Sequence, residues 1–214
     1  MRLLRVFFDM EKQLIIIGAG GHGKVIADIA ELVARYEEIY FLDDNSRGTC
    51  FKHKIIGKID EFIKFVNKAD FIIGIGNAII RKRIFEKLEK YEADIISLVH
   101  PSSIIANSVK IGKGSVIAAG AVINPDSVIG KGCIINTSSS VDHDSIIDDF
   151  VHIASGAHLA GNIFVGKNTW IGAGAVVKNN ISIAGDCMIG AGAVVVKNIK
   201  ESGVYIGVPA KKIK

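Results

Sequence analysis

The sequence contains few cysteines, no long apolar run and no strong excess of one charge. Three cysteines in 214 residues, at positions 50, 133 and 187, follow no disulfide or metal-ligand spacing, so we expect structural thiols in a reducing compartment. No stretch approaches the roughly 18–20 apolar residues of a membrane-spanning helix. Residues 1–9 lack the length and cleavage site of a signal peptide, and the sequence leaves open whether they belong to the natural protein. A net charge of +4 without a basic, aromatic-rich patch argues against nucleic acid as a partner. We therefore expect a cytoplasmic protein without a membrane span.

A period of six residues dominates the second half of the chain. Every sixth residue from Val99 to Val195 is aliphatic, glycine often follows it, and a small or β-branched residue comes four places later. This period fits neither a helix nor the simple alternation of a two-faced sheet. It is typical of a parallel β-helix, in which each hexad supplies one short strand and one turn. Three hexads make one coil of a three-sided prism, so residues eighteen apart are predicted to stack.

The first hundred residues show a different pattern, in which short apolar strands alternate with helices. Strands are predicted at 13–18, 39–42, 71–76 and 94–99, helices at 24–36 and 78–91, and residues 59–66 are compatible with a further helix. This alternation predicts a small Rossmann-like parallel sheet. The chain is thus divided into an α/β domain at residues 1–98 and a β-helix domain with a C-terminal tail at residues 99–214.

A glycine-rich loop follows the first predicted strand. Its sequence, Gly18-Ala19-Gly20-Gly21-His22-Gly23, fits the G-x-G-x-x-G pattern, in which the backbone approaches a phosphate at a helix N-terminus. Ligands of such sheets bind outside the carboxyl ends of the strands. The candidate substrate-binding residues at these ends are Gly20, Gly21, His22, Asp43, Asp44, Gly76 and Asn77. A nucleotide-sugar site is favoured over an NAD site, because the domain is small and His22 suits contact with a phosphate or sugar. A tight turn without a ligand remains the alternative.

Two hexads of the predicted β-helix, residues 135–146, carry polar side chains where a structural coil needs none. His143 should point outward at a prism edge between Asp142 and Asp144, with Asn136 nearby as a candidate substrate contact. A carboxylate beside a neutral imidazole fixes its tautomer and raises its basicity, so His143 is a candidate general base. A solvated surface histidine is the alternative. No serine or cysteine stands out as an activated nucleophile, which favours direct transfer.

A metal site is not expected. His143, His152 and His158 are separated by nine and six residues, so no two of them lie a whole number of coils apart. Zinc requires ligands that converge at about 2 Å.

Motifs from both halves of the chain resemble one family. Residues 13–212 contain GAGGHG, FLDD, GIGN, NTSSSVDHD, GAHLAGN and GVPAK in the order found in hexapeptide-repeat sugar O/N-acetyltransferases related to the sialic acid O-acetyltransferase. This family includes bacterial enzymes that acetylate the 4-amino group of UDP-linked dideoxy sugars in the biosynthesis of bacillosamine-type sugars. The resemblance implies left-handed coils, acetyl-CoA as co-substrate, and a homotrimer packed through the β-helices.

The resemblance also implies roles for individual residues. His143 matches the catalytic base, and Asp144 matches the acidic residue that supports it, where the amino-sugar enzymes carry Glu. His152, Ala173 and Ala191 match positions that contact acetyl-CoA. The glycine loop, Asp43, Asp44 and Gly76 match the nucleotide-sugar site.

The expected function is therefore acetyl-CoA-dependent N-acetylation of a nucleotide-linked sugar, with a UDP-4-amino-4,6-dideoxy sugar as the preferred substrate, in polysaccharide biosynthesis. O-acetylation of sialic acid or a related sugar is the first alternative. A nucleotide-sugar-binding module with a purely structural β-helix is the second, and an NAD-dependent oxidoreductase the third.

Overall fold

The computed structural model describes residues 13–214. The question whether residues 1–9 are native therefore concerns a segment outside the described residues. No helix in the described range is both long and apolar enough to cross a membrane.

The N-terminal part is a six-stranded sheet with one α-helix on each face. Its elements are β1 (Gln13–Ile17), α1 (Gly21–Val33), β2 (Glu38–Leu42), β3 (Thr49–Cys50), β4 (His53–Gly57), a 3₁₀ helix (Ile59–Phe65), β5 (Ala69–Ile73), α2 (Ala78–Lys90) and β6 (Asp94–Ile95). The strand order is β3-β4-β2-β1-β5-β6, and the β3–β4 pair is antiparallel while the other pairs are parallel. Alternate residues of β1 face opposite layers: Leu14 and Ile16 pack with α1, and Ile15 and Ile17 with α2. The predicted small parallel sheet is confirmed.

Sequence and structure differ at several places in this domain. The helix predicted at 24–36 covers Gly21–Val33, and the strand predicted at 94–99 divides into β6 of this sheet and a strand of the next domain at Leu98–Val99. The strand predicted at 71–76 covers Ala69–Ile73, because the chain turns at Gly74 to pack on the glycine loop. A Cβ at Gly74 would lie 2.7 Å from the Cα of Gly23, so this contact requires glycine. The β3–β4 hairpin was not predicted, since β3 has only two residues and no periodicity to detect.

The rest of the chain is a three-sided parallel β-helix. The first face contains β7 (Leu98–Val99), β10 (Val116–Ile117), β13 (Ile134–Ile135), β16 (His152–Ile153), β19 (Trp170–Ile171), β22 (Cys187–Ile189), β24 (Gly203–Ile206) and β25 (Lys211–Lys212). The second face contains β8 (Ile104–Ile105), β11 (Val122–Ile123), β14 (Ser140–Val141), β17 (His158–Leu159), β20 (Val176–Val177) and β23 (Val194–Val195). The third face contains β9 (Lys110–Ile111), β12 (Val128–Ile129), β15 (Ile146–Ile147), β18 (Phe164–Val165) and β21 (Ser182–Ile183).

The stacking follows the predicted register of eighteen residues. Ile117, Ile135, Ile153 and Ile171 pair in succession along the first face. From Ile117 to Val195 the inward aliphatic residues are at most 1% exposed and form one continuous core. The domain boundary predicted between residues 98 and 99 lies inside β7, the first strand of this face, and stays a prediction.

The corners of the prism repeat with the same period. Every sixth residue from Gly114 to Gly192 has φ between +54° and +74°, and nearly all of them are Gly, Asn or Asp. These residues tolerate the left-handed conformation best. Ser138 and Phe150 are the exceptions, and Phe150 is the bulky one.

Candidate functional site

A cavity of about 880 Å³ lies at the carboxyl ends of β1, β2 and β5. Six of the eight predicted substrate-binding residues line it, namely Gly20, Gly21, His22, Asp43, Asp44 and Gly76. Arg83 of α2 adds positive charge to its wall, while Lys87 is paired with Asp60 at 2.6 Å in the same lining. The cavity thus combines a helix N-terminus with the Arg83 guanidinium, which suits a phosphate-containing ligand.

The two aspartates of this cavity organise its loops. The Asp43 carboxylate accepts hydrogen bonds from the backbone N–H groups of Ala19, Asn45 and Ser46 at 2.7–2.8 Å. Partial burial opposes ionisation, but these backbone bonds prevail and hold the pKa of Asp43 below its usual value. Asp44 accepts from the N–H of Ile59 at 3.0 Å. The carboxylates that a ribose contact would use therefore also hold the glycine loop and the 3₁₀ helix in place.

His22 is a neutral imidazole at the edge of the glycine loop. Burial and the nearby positive charge of Arg81 lower its pKa to about 4. Its Nε2 atom is buried and has no hydrogen-bond partner in the described part of the chain. The side chain is available to donate or accept one hydrogen bond.

A second cavity, of about 560 Å³, lies between the N-terminus of α2 and the first face of the β-helix. Its walls include Asn77 from the α/β domain and His152, Trp170 and Met188 from the β-helix. Gly76 lines both cavities, so they meet at this residue. The side chain of Asn77 caps α2 by accepting from the N–H of Ile80 at 3.0 Å.

His152 is held rigidly beside this second cavity. Its ring stacks on Trp170 at 5.3 Å between centroids and 6° between planes. The Asn136 amide donates to its Nε2 at 3.2 Å, which places the ring proton on Nδ1. Burial lowers the pKa of His152 to about 3, with Arg81 and His22 acting in the same direction. Its Nδ1–H is buried without a partner among the described residues and can donate to a ligand.

His143 lies at the corner between the second and third faces, in the loop from β14 to β15. Its side chain is 58% exposed, and Nδ1 lies 2.7 Å from Oδ2 of Asp144. This hydrogen bond raises the pKa of His143 and leaves Nε2 with a free lone pair. Asp142 instead accepts from the His143 backbone N–H and from Asn124. The predicted outward histidine with an adjacent carboxylate is present.

The next coil leaves room for the His143 ring. A Cβ at Gly161 would lie 2.6 Å from both Cε1 and Nε2 of His143. The imidazole therefore rests directly on the backbone of Gly161, eighteen residues further along.

The structure does not bring all predicted residues together on one chain. Asn136 joins His152 rather than His143. Ala173 and Ala191 are exposed at the corner between the first and second faces, one coil apart. No described residue accepts a hydrogen bond from their N–H groups. His143 contributes to neither cavity.

Three residues around the cavities were missed by sequence reasoning. Arg81 sits on the apolar stripe of α2 with Ile84, Phe85 and Leu88, and an arginine in such a stripe was a detectable signal. Phe150 occupies a corner position held elsewhere by Gly, Asn or Asp, which was also detectable. Trp170 carried no signal, because outward positions on the faces vary freely. Within residues 13–214, no group of three or more His, Cys, Asp or Glu residues is placed to hold a metal ion.

Comparison with known proteins identifies the family of this chain. Residues 13–88 match the PglD N-terminal domain family. The chain is 36% identical over 117 residues to the UDP-N-acetylbacillosamine N-acetyltransferase of Bacillus subtilis, a match that covers 50% of this chain and about half (52%) of that relative. The acetyltransferase domain of PglB from Neisseria gonorrhoeae, solved with acetyl coenzyme A, is 38% identical, with a TM-score of 0.92 over 95% of this chain and 100% of that domain. The chain belongs to the hexapeptide-repeat sugar acetyltransferases.

The structure of a further member of this sugar acetyltransferase family has been solved with CoA and a nucleotide sugar bound. PerB from Caulobacter crescentus, in complex with CoA and GDP-perosamine, is 31% identical, with a TM-score of 0.88 over 94% of this chain and 97% of that one. Such close superpositions require coils of the same hand, so the left-handed β-helix implied by the resemblance is confirmed.

Proposed function

We propose that this acetyltransferase moves the acetyl group of acetyl-CoA to the amino group of a nucleotide-linked sugar. The observation that carries the proposal is the pair of cavities that meet at Gly76, one built for a phosphate and the other beside His152. The names of its relatives support N-acetylation and a nucleotide sugar as acceptor. A UDP-4-amino-4,6-dideoxy sugar is the preferred substrate, and the GDP-linked counterpart is the variant to compare.

The nucleotide diphosphate is assigned to the glycine-loop cavity. The free N–H groups at the start of α1, beside Gly20 and Gly21, carry the positive end of the helix dipole toward a phosphate. Arg83 adds positive charge, and neutral His22 supplies one hydrogen bond. The sugar then extends past Gly76 and Asn77 toward the β-helix.

The chemistry is assigned to His143. Its Nε2 removes a proton from the amine as the nitrogen attacks the thioester carbonyl, and Asp144 stabilises the imidazolium that forms. Collapse of the tetrahedral intermediate breaks the C–S bond, forms the amide and releases CoA as its thiol after protonation. No acyl-enzyme is required.

Acetyl-CoA is assigned to the edge that carries His152, Ala173 and Ala191. Among residues 13–214, the Nδ1–H of His152 and the two backbone N–H groups have no hydrogen-bond partner along this side of the prism. They suit the carbonyl and amide oxygens of an acetylated pantetheine arm.

We propose a homotrimer in which the site is shared between copies. His143 lies at a different corner from both cavities, so the base and the acceptor pocket of one chain do not meet. The third face also exposes an apolar column of Val128, Ile146 and Phe164, one residue per coil, which a neighbouring copy can cover. The three cysteines are free and buried, which agrees with a cytoplasmic location.

A thiol-release assay tests the proposed function. Purified protein is mixed with acetyl-CoA and, separately, the UDP-linked 4-amino-4,6-dideoxy sugar, its GDP-linked counterpart and sialic acid. We expect rapid CoA release with the UDP amino sugar. Release only with sialic acid would replace N-acetylation by O-acetylation. No release, together with no change in melting temperature on adding acetyl-CoA, would refute the transferase function.

The His143→Ala variant tests the assigned base. We expect turnover to fall by ~10²–10⁴-fold with the melting temperature unchanged, since the ring is largely exposed. His158→Ala is the matched control, because His158 is also exposed on the β-helix and its side chain bonds only Ser140 among the described residues. Near-normal turnover in His143→Ala would refute the mechanism.

A further inference from the structure

Arg81 is a buried cation at the junction between the two domains. The residue is 1% exposed and forms no ion pair with a described residue. Its Nη1 donates to the carbonyls of Ile75 and Gly76 at 3.0 and 2.7 Å, inside the α/β domain. Its Nε and Nη2 donate to the carbonyls of Gly132 and Phe150, both at 2.7 Å, in two successive coils of the β-helix. One guanidinium thus connects the β-helix to Gly76, the residue at which the two cavities meet.

The corner of the β-helix that contacts α2 has two unusual features. Phe150 takes φ of +60° at a corner where most coils place Gly, Asn or Asp, and bulky residues avoid this conformation. Its ring packs edge-on against Phe85 of α2, with 5.4 Å between centroids. Gly132 lies one coil earlier, where a Cβ would come within 2.6 Å of the Phe150 ring. These features hold α2 against the corner between the third and first faces.

The packing of α2 against the β-helix does not by itself require an arginine at this position. Removing a guanidinium from water is costly, and a well-packed apolar residue often stabilises a buried site as well or better. The carbonyls that Arg81 binds include Gly76, which lines both cavities. Burial is the main cause of the lowered pKa values of His22 and His152, and the charge of Arg81 further favours their neutral forms. An arginine is explained if its hydrogen bonds position the glycine-loop cavity relative to the cavity beside His152.

We propose that Arg81 is a positioning residue that fixes the nucleotide-sugar cavity relative to the β-helix, so that the bound amino sugar is aligned for acetyl transfer. The inference rests on the proposed function. Arg81 touches neither substrate nor reacting atoms and acts through the Gly76, Gly132 and Phe150 carbonyls.

Two substitutions separate its bonds from its charge. Arg81→Lys keeps a cation but cannot reach four carbonyls from one ammonium group, and Arg81→Met removes both. We expect kcat to fall about tenfold in Arg81→Lys and about a hundredfold in Arg81→Met, since small misplacements of reacting groups have effects of this size. The Kd for UDP should stay within about threefold of that of the unchanged protein, because the phosphate-binding residues remain. Lys82→Met, a neighbouring exposed position on α2, is the control and should behave like the unchanged protein.

Hydrogen exchange provides a readout that does not depend on turnover. In Arg81→Lys, amides near Phe85 and Phe150 should exchange at least several-fold faster, while those of β1 and the inner coils are unchanged. If the unchanged protein transfers acetyl groups and both Arg81 variants match its kcat, the positioning role is wrong. If kcat and UDP binding fall together in proportion to the folded fraction, Arg81 is merely structural and the proposal also fails. Failure of the proposed function would instead appear as an inactive unchanged protein.

Discussion

The His143–Asp144 pair has a measurable pH signature. The general base must be neutral, so activity rises with pH through the pKa of His143, which Asp144 raises above its usual value. In Asp144→Asn this pKa returns toward the usual value. The acidic limb of kcat/KM should therefore move to lower pH, and the plateau should fall roughly tenfold because the base is weaker. A pH–rate profile from pH 5 to 9 measures both effects.

Asp126→Asn is the matched control for this profile. Asp126 occupies the same corner one coil earlier, with φ of +63° against +58° for Asp144. Asparagine tolerates this conformation, so neither substitution strains the backbone. An acidic limb that does not move in Asp144→Asn would contradict the role assigned to Asp144.

Gly161 supports the ring of His143, the proposed base. Its φ lies outside the left-handed region, so alanine is allowed by the backbone, but the new Cβ would lie 2.6 Å from the His143 ring. The exposed ring can swing away, so we expect Gly161→Ala to lower kcat ~10–100-fold with little change in melting temperature. In a His143→Ala background the same substitution should have no further effect, and a double-mutant cycle measures this. Additive losses would show that Gly161 acts elsewhere.

At the scale of the repeat, glycine serves two different purposes within one hexad. A side chain at Gly172 would meet the Ile189 carbonyl at 2.5 Å, whereas Gly174 has open space around it and φ of +65°. Asparagine is accepted at φ near +60° in several other coils, including Asn162 and Asn180. Gly174→Asn should therefore be nearly neutral, and Gly172→Asn should destabilise by about 1–3 kcal/mol through overpacking. Urea denaturation of the two variants measures the difference, and equal midpoints would contradict this account.

The elements differ in how far their sequence predicts them. Each hexad buries its own aliphatic residue, so coils and register follow from local sequence, and the stacking of Ile117 on Ile135 was predictable. The end of β5 was not, because Gly74 leaves the strand to contact a loop distant in sequence. The roles of Arg81 and Phe150 were missed for the same reason. Arg81 and Phe150 derive their roles from contacts between domains, which no local period encodes.

At the scale of the whole molecule, the arrangement of the corners separates the parts of the site. The α/β domain contacts the corner between the third and first faces through Arg81, which bonds Gly132 and Phe150 there and Gly76 at the edge of the glycine-loop cavity. His143 lies at the next corner, between the second and third faces. The prism core fills the space between them. The trimer proposed above would supply both to one substrate, with the base from one copy and the cavity from its neighbour.

Subunit complementation tests this arrangement directly. Chains carrying His143→Ala keep the acceptor cavity, while chains carrying Gly21→Asp keep the base but place a negative charge where the phosphate is assigned. Gly21 has open space around its Cβ position, so the aspartate should not disturb the fold. Each variant alone should be inactive, and an equal mixture refolded together should recover about one quarter of normal activity, because one ordered neighbour pair in four joins an intact cavity to an intact base. Light scattering on the mixture verifies the trimer. A trimeric mixture without activity would mean that one chain supplies both the base and the pocket, and the shared site would be wrong.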